Sequence, residues 1–166
     1  MKLIRGGTVV NANHTGRYDV LIVGEKIAAL IDPRSDILDS LEGWDCEILD
    51  ASGKYVIPGG VDSHVHLQLP MSDEATSNDT FESGTQAAAW GGTTTVIDFA
   101  GQIKGSSVPD AIESRLAEAE GQCAIDYSLH LSVGDVHAQS LIDIRNTVDS
   151  GTVSYTHLRA HETTEH

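Results

Sequence analysis

Runs of β-forming residues alternate with helical segments over the second two thirds of the chain. In chain order, the predicted strands and helices occupy residues 55–62, 79–90, 93–99, 110–121, 124–131 and 138–149. Strands and helices that alternate in this way form parallel βα units. The alternation therefore predicts an α/β fold in this region, either a doubly wound sheet or the start of a βα barrel.

Residues 1–54 show a different pattern. Gly and Asn punctuate the β-branched runs at 2–10 and 18–30, and a further short run at 47–51 ends in a Ser-Gly-Lys turn. Short strands separated by turn residues predict a small all-β module. We therefore expect an all-β segment over residues 1–54, followed by three βα units over residues 55–151.

The composition is that of an ordinary globular domain, with 40% hydrophobic and 21% charged residues. The formal net charge is −15 and only 10 residues are Lys or Arg, which disfavours a nucleic-acid partner because phosphate backbones are bound by clustered basic residues. No apolar run approaches the roughly 20 residues of a membrane span, and the amino terminus lacks the apolar core of a signal peptide. We expect a cytoplasmic protein without a nucleic-acid or membrane partner.

The end of the chain resembles a translated sequencing adapter. A transposase adapter read in frame encodes Val-Ser-Tyr-Thr-His-Leu-Arg-Ala-His-Glu, which is the sequence of residues 153–162. His157 and His161 are four residues apart, a spacing that would place two imidazoles on one face of a helix. We attribute them to the adapter instead, and predict that residues 152–166 form a non-native tail.

His64 and His66 are the candidate metal ligands. Side chains two residues apart on an extended backbone project to the same face, so the two imidazoles can bind one cation. They directly follow the predicted strand 55–62, and barrel enzymes carry their catalytic groups at the carboxyl ends of such strands. A His-x-His pair alone is also compatible with two surface histidines or two core histidines.

The residues around this pair resemble the amidohydrolase superfamily. Residues 58–66, Pro-Gly-Gly-Val-Asp-Ser-His-Val-His, are similar to its first metal-binding motif, and residues 81–99 and 125–131 are similar to the following helix and strands of the dihydropyrimidinase and D-hydantoinase branch. The resemblance covers residues 1–151. It implies an amino-terminal β-sandwich segment, followed by the first βα units of a truncated TIM-like (β/α)8 barrel of a metal-dependent hydrolase.

The same resemblance implies a centre of two divalent metal ions, commonly zinc, with His64 and His66 on the more buried ion. The other ligands of the family are a carboxylated lysine, two histidines and an aspartate on later strands. The resemblance therefore places no catalytic residue in this chain and leaves its metal site incomplete. It implies that the full-length parent is a homotetramer that hydrolyses the cyclic amide bond of dihydropyrimidines or hydantoins to N-carbamoyl amino acids, and that this chain by itself is inactive.

Gln68 narrows the expected substrate. Dihydroorotases resemble this stretch but have an arginine there, which binds the substrate carboxylate in a bidentate way. Residues 69–71, Leu-Pro-Met, also differ from the Glu-Pro-Gly typical of dihydroorotase and allantoinase. We expect an uncharged cyclic amide. The alternatives are a non-catalytic dihydropyrimidinase-like scaffold protein, or another cyclic amidohydrolase such as allantoinase or dihydroorotase.

Four other polar residues are candidates for a role at the site, and only Asp98 allows two interpretations. Asp98, at the end of the predicted strand 93–99, is either support for the metal-binding histidines or a residue of a strand-end turn. His130 lies in an apolar strand and is predicted to be a core histidine whose ring is hydrogen-bonded. His14 and His137 are predicted to be surface residues. Arg115 lies on the apolar side of the predicted helix 110–121.

Overall fold

The computed structural model describes residues 1–40, 44–72, 75–147, 152 and 154–156. The chain forms two compact units, Met1–Pro58 and Gly59–His166. Among the described residues, no helix is both long and apolar enough to cross a membrane.

The first unit consists of two small sheets. Its elements are β1 (Lys2–Arg5), β2 (Thr8–Val10), β3 (Thr15–Arg17), β4 (Asp19–Val23), β5 (Lys26–Ile31), α1 (Ile37–Ser40), β6 (Glu47–Asp50) and β7 (Tyr55–Val56). One sheet has the order β5-β4-β1-β6 and the other the order β3-β2-β7. Leu3 and Ile31 form a buried cluster against which Leu21 packs. The β-branched runs of the sequence are thus strands, interrupted where glycines allow the chain to turn.

The second unit contains a parallel sheet whose strands alternate with helices. Its elements are β8 (Gly60–Asp62), β9 (Pro70–Ser72), β10 (Ala75–Thr76), α2 (Phe81–Trp90), β11 (Thr93–Gly101), α3 (Val108–Ala119), β12 (Asp126–Ser132), α4 (Ala138–Asn146) and β13 (Ser154–Thr156). The four-stranded sheet has the order β8-β11-β12-β13, and every neighbouring pair is parallel. Spatial order therefore follows chain order without reversal. This order is typical of a βα barrel, because a doubly wound sheet reverses its strand order at the switch point.

The predicted buried strand over residues 55–62 is wrong. Tyr55 and Val56 pair with β2 in the first unit, whereas Gly60–Asp62 pairs with β11 in the second unit. Pro58 lies between them and has no backbone N–H for a sheet ladder. β8 has a partner on only one side among the described strands, and Val61 is 62% exposed.

Two apolar clusters hold the helices of the second unit against its sheet. One contains Ala100, Val108, Ile112, Leu129 and Leu131. The other contains Leu67, Phe81, Val96 and Ala119, and so joins α2, α3 and β11 to the segment that follows β8. The helices begin at capping residues. Thr80 and Ser83 form a capping box at α2, and Ser107 accepts a hydrogen bond from the Asp110 amide at α3.

Candidate metal centre

The backbone of the histidine pair runs beside β11, directly beyond the end of β8. The Val65 amide donates to the Ile97 carbonyl at 3.2 Å, and the His64 amide donates to Oδ1 of Asp62 at 3.2 Å. Val65 is partly buried and packs against the apolar cluster around Phe81. Because Val65 points to that cluster, the extended backbone directs its two neighbouring histidines to the opposite side.

The two imidazoles lie next to each other. Their ring centroids are 5.0 Å apart with an interplanar angle of 89°. The ring of Phe99 contacts both, at centroid distances of 4.6 Å from His64 and 5.0 Å from His66. His64 is exposed and His66 is half-buried. The structure thus brings together the two residues singled out in the sequence, and their role as metal ligands stays a prediction.

The Nδ1 atom of His66 is buried and has no hydrogen-bond partner in the described part of the chain. Buried polar atoms are nearly always paired, so such an atom calls for an explanation. Ring nitrogens of neutral histidine are common ligands of zinc. The pair therefore fits a cation. Within the described residues no group of three or more His, Cys, Asp or Glu side chains is arranged to hold a metal ion, so the pair offers two of the ligands such a centre needs.

His130 lies at one flank of the pair. Its Nε2 is 2.9 Å from the Ser63 carbonyl oxygen, and its ring centroid is 4.9 Å from that of Phe99. The prediction of a hydrogen-bonded ring is confirmed. The residue is half-buried rather than fully in the core, because it faces the histidine segment across Phe99.

Asp98 does not lie at a strand-end turn. β11 continues to Gly101, and Asp98 is only 1% exposed within it. Its Oδ1 accepts from the Phe99 amide at 2.7 Å, and its Oδ2 accepts from Nη2 of Arg115 at 2.6 Å. Burial raises the pKa of Asp98 above its ordinary value, and the hydrogen bond from Phe99 and the positive charge of Arg115 oppose that rise.

Arg115 is the functional candidate that sequence reasoning missed. It lies on α3 with its side chain 7% exposed, and it donates to the carbonyl oxygen of Leu67, the residue after His66. An arginine on the apolar side of a predicted helix was the available signal. A buried guanidinium requires a charged partner, and the acidic residue inside the apolar run of β11 is Asp98.

The remaining histidines are exposed or lie outside the described residues. His14 is exposed, with its ring centroid 5.3 Å from that of Tyr18. His137 is exposed and caps α4, where its Nδ1 accepts from the Ser140 amide at 3.2 Å. His157 and His161 lie outside the described residues.

Gln68 adopts a backbone conformation that is uncommon for a residue with a side chain, with φ of 48°. Its backbone N–H donates to the Asp79 carbonyl oxygen at 2.6 Å. The chain therefore turns sharply right after Leu67. The side chain that distinguishes this sequence from dihydroorotases is half-buried at that turn.

Known proteins match both the sequence and the fold. The Amidohydrolase family matches residues 55–164. A D-hydantoinase of Streptomyces coelicolor is 43% identical over 159 residues, which are 96% of this chain and 33% of that protein. A dihydropyrimidinase of Rattus norvegicus is 44% identical over 134 residues, which are 79% of this chain and 25% of that protein.

A solved dihydropyrimidinase structure from Brevibacillus agri superposes with a TM-score of 0.83 at 40% identity, covering 93% of this chain and 32% of that chain. The chain thus spans between a quarter and a third of the length of these relatives. Because the family match covers more than half of the residues and includes both histidines, the chain belongs to the amidohydrolase family.

Proposed function

We propose that this chain is the amino-terminal part of a hydrolase that opens the ring of dihydropyrimidines or hydantoins and releases N-carbamoyl amino acids. The observation that carries this proposal is the pair His64 and His66 at the carboxyl end of β8, with a buried ring nitrogen of His66 that has no hydrogen-bond partner among the described residues. The similarity to D-hydantoinases and dihydropyrimidinases supports the substrate class. Nothing in the described residues favours the scaffold alternative.

The proposed architecture is a TIM-like (β/α)8 barrel, of which β8, β11 and β12 are the first three strands. Their consecutive parallel order supports this, and the two sheets of the first unit would belong to a composite β-sandwich. We propose that residues 152–166 are not native. β13 pairs with β12 and the family match reaches residue 164, so a strand at this place suits the fold whatever the origin of its sequence.

The proposed centre holds two divalent metal ions, which we take to be zinc, with His64 and His66 on one of them. Bound ions of this kind lower the pKa of a shared water and polarise the amide carbonyl. The contribution of this chain is to present two imidazoles whose rings pack against Phe99. The remaining ligands lie on later strands of the parent protein.

Gln68 supports an uncharged small-molecule substrate. Its amide side chain cannot form the bidentate ion pair that an arginine forms with a substrate carboxylate. A homotetrameric parent and a cytoplasmic location stay predictions from the sequence.

The test uses a chimeric protein that contains all eight strands of the proposed barrel. Residues 1–151 are joined to the part of the Streptomyces coelicolor D-hydantoinase that follows the matched segment, and hydrolysis of hydantoin and dihydrouracil is measured. We expect turnover that requires zinc and disappears in His64→Ala and His66→Ala. His14→Ala serves as the control, because His14 lies in the other unit and is exposed. A folded, zinc-loaded protein without turnover would contradict the enzyme proposal.

A further inference from the structure

We infer that Arg115 is a positioning residue, which holds the segment carrying His64 and His66 in place through the carbonyl group of Leu67. The inference rests on the proposed function, because it gives this segment the role of a metal-binding one. It concerns how the segment is held, and it is tested without metal.

Three groups, one from each of three helices and strands, fix the guanidinium. Nη2 binds Oδ2 of Asp98 on β11 at 2.6 Å, and Nη1 binds Oε2 of Glu118 on α3 at 2.5 Å. The guanidinium carbon lies 4.5 Å from the centroid of Phe81 on α2, a cation–π contact. Phe81 and Asp98 are buried. The orientation of Arg115 is therefore determined by regular elements before it reaches the histidine segment.

The fourth partner lies in a segment without regular structure. Nη2 also donates to the carbonyl oxygen of Leu67, one residue after His66 and just before the turn at Gln68. A hydrogen bond from a charged donor is stronger than one between neutral groups. Arg115 thereby ties the backbone beside His66 to the ion pair with Asp98.

Side chains hold both ends of this segment. At the amino-terminal end, His130 on β12 is 2.9 Å from the Ser63 carbonyl oxygen, and at the carboxyl-terminal end Arg115 binds the Leu67 carbonyl. The backbone of His64 and His66 runs between these two contacts. Mutation of a group that orients a metal ligand typically lowers the affinity for the metal tenfold to a hundredfold. The role inferred for Arg115 is therefore to orient the histidine segment, in addition to any part it has in folding.

The test compares Arg115→Lys with Glu118→Gln in the 166-residue chain without metal. Lysine keeps the positive charge and the apolar stem, but its side chain is one bond shorter, so its ammonium group does not reach the position from which Nη2 binds both Asp98 and Leu67. Glu118→Gln removes the charge of a half-exposed partner and leaves the contacts with Asp98, Leu67 and Phe81. Asp98→Asn is a second, isosteric variant that weakens the anchor without altering Arg115.

Two readouts follow the segment itself. The first is the set of ring proton resonances of His64 and His66, which the neighbouring Phe99 ring displaces from their values in free histidine. The second is amide hydrogen exchange at Val65 and Gln68. The backbone N–H of Val65 donates to the Ile97 carbonyl oxygen and that of Gln68 to the Asp79 carbonyl oxygen. Amides of β11 and β12 report on the rest of the sheet.

We expect Arg115→Lys to shift both histidine rings toward free-histidine values and to accelerate exchange at Val65 and Gln68 roughly tenfold to a hundredfold. Asp98→Asn should act in the same direction, and Glu118→Gln should resemble the parent chain. Unchanged rings and exchange in Arg115→Lys would overturn the inference. So would an equal loss of protection across β11 and β12 in both anchor variants, which would assign Arg115 to folding alone. Neither result bears on hydrolysis, which the completed barrel tests separately.

Discussion

At the scale of single residues, β11 separates two kinds of environment. Consecutive residues of a strand face opposite sides of the sheet, so Phe99 faces the rings of His64 and His66 while Asp98 faces Arg115 on α3. Burying an ion pair costs desolvation free energy that its attraction only partly offsets. The pair is therefore better explained by the geometry it imposes than by the stability it adds.

The buried carboxyl group of Asp98 predicts a pH-dependent stability. Because burial raises its pKa above the ordinary 3.8, the folded chain retains this proton at pH values where the unfolded chain has released it. The contribution of Asp98 to the free energy of unfolding therefore falls as pH rises from 3.8 through the raised pKa.

Urea unfolding of the parent chain and of Asp98→Asn at a series of pH values isolates this contribution, since other carboxyl groups titrate equally in both. We expect the difference in free energy of unfolding, parent minus variant, to decrease across this interval. A difference that increases with pH would show that the positive charge of Arg115 outweighs burial.

Of the two parts of the site, the histidine pair and the Asp98–Arg115 contact, only the histidine pair could be predicted from the sequence. The period of two residues in an extended backbone was enough to predict that His64 and His66 lie side by side. The contact between Asp98 and Arg115 was not predictable in this way, because it depends on how α3 docks on β11. Its existence could only be suspected from an arginine on an apolar helix face.

At the scale of elements, Thr85 joins α2 to the loop that leads into β12. Its side chain is fully buried. Oγ1 donates to the Phe81 carbonyl at 2.5 Å and accepts from the Ala124 amide at 3.0 Å. We expect Thr85→Val to lower the free energy of unfolding by about 1–3 kcal/mol, because the Ala124 amide loses its acceptor.

Thr85→Ser is the matched control, since it keeps the hydroxyl group and removes only a methyl group. Chemical denaturation of both variants gives the comparison. Thr85→Ser should lower the free energy of unfolding by less than Thr85→Val does. Equal or greater stability of the valine variant would mean that the hydroxyl group contributes only packing.

Helices and strands in the second unit were predictable because apolar and β-forming runs alternate clearly. The division of residues 55–62 was not predictable, because the two parts are adjacent in sequence but pair with different sheets, Tyr55–Val56 with β2 and Gly60–Asp62 with β11. Such a division depends on contacts with residues more than 30 positions away. Sequence order alone also left open the choice between a doubly wound sheet and a barrel, and the unreversed order of β8, β11, β12 and β13 favours the barrel.

At the scale of the whole molecule, the chain matches about a third of the length of its relatives. The described residues bring together two candidate ligands, His64 and His66, and no group of three or more side chains that could hold a metal ion. We therefore propose that this chain supplies two of the six ligands of a metal centre, and that later strands of the parent protein supply the others.

The most direct test of this claim is the zinc content of the completed protein, residues 1–151 joined to the remainder of the Streptomyces coelicolor D-hydantoinase. Elemental analysis after dialysis should give about two zinc ions per chain, as in two-metal hydrolases. The double variant His64→Ala and His66→Ala should lose at least one of them while remaining folded by circular dichroism. An unchanged zinc content in the folded double variant would contradict the account.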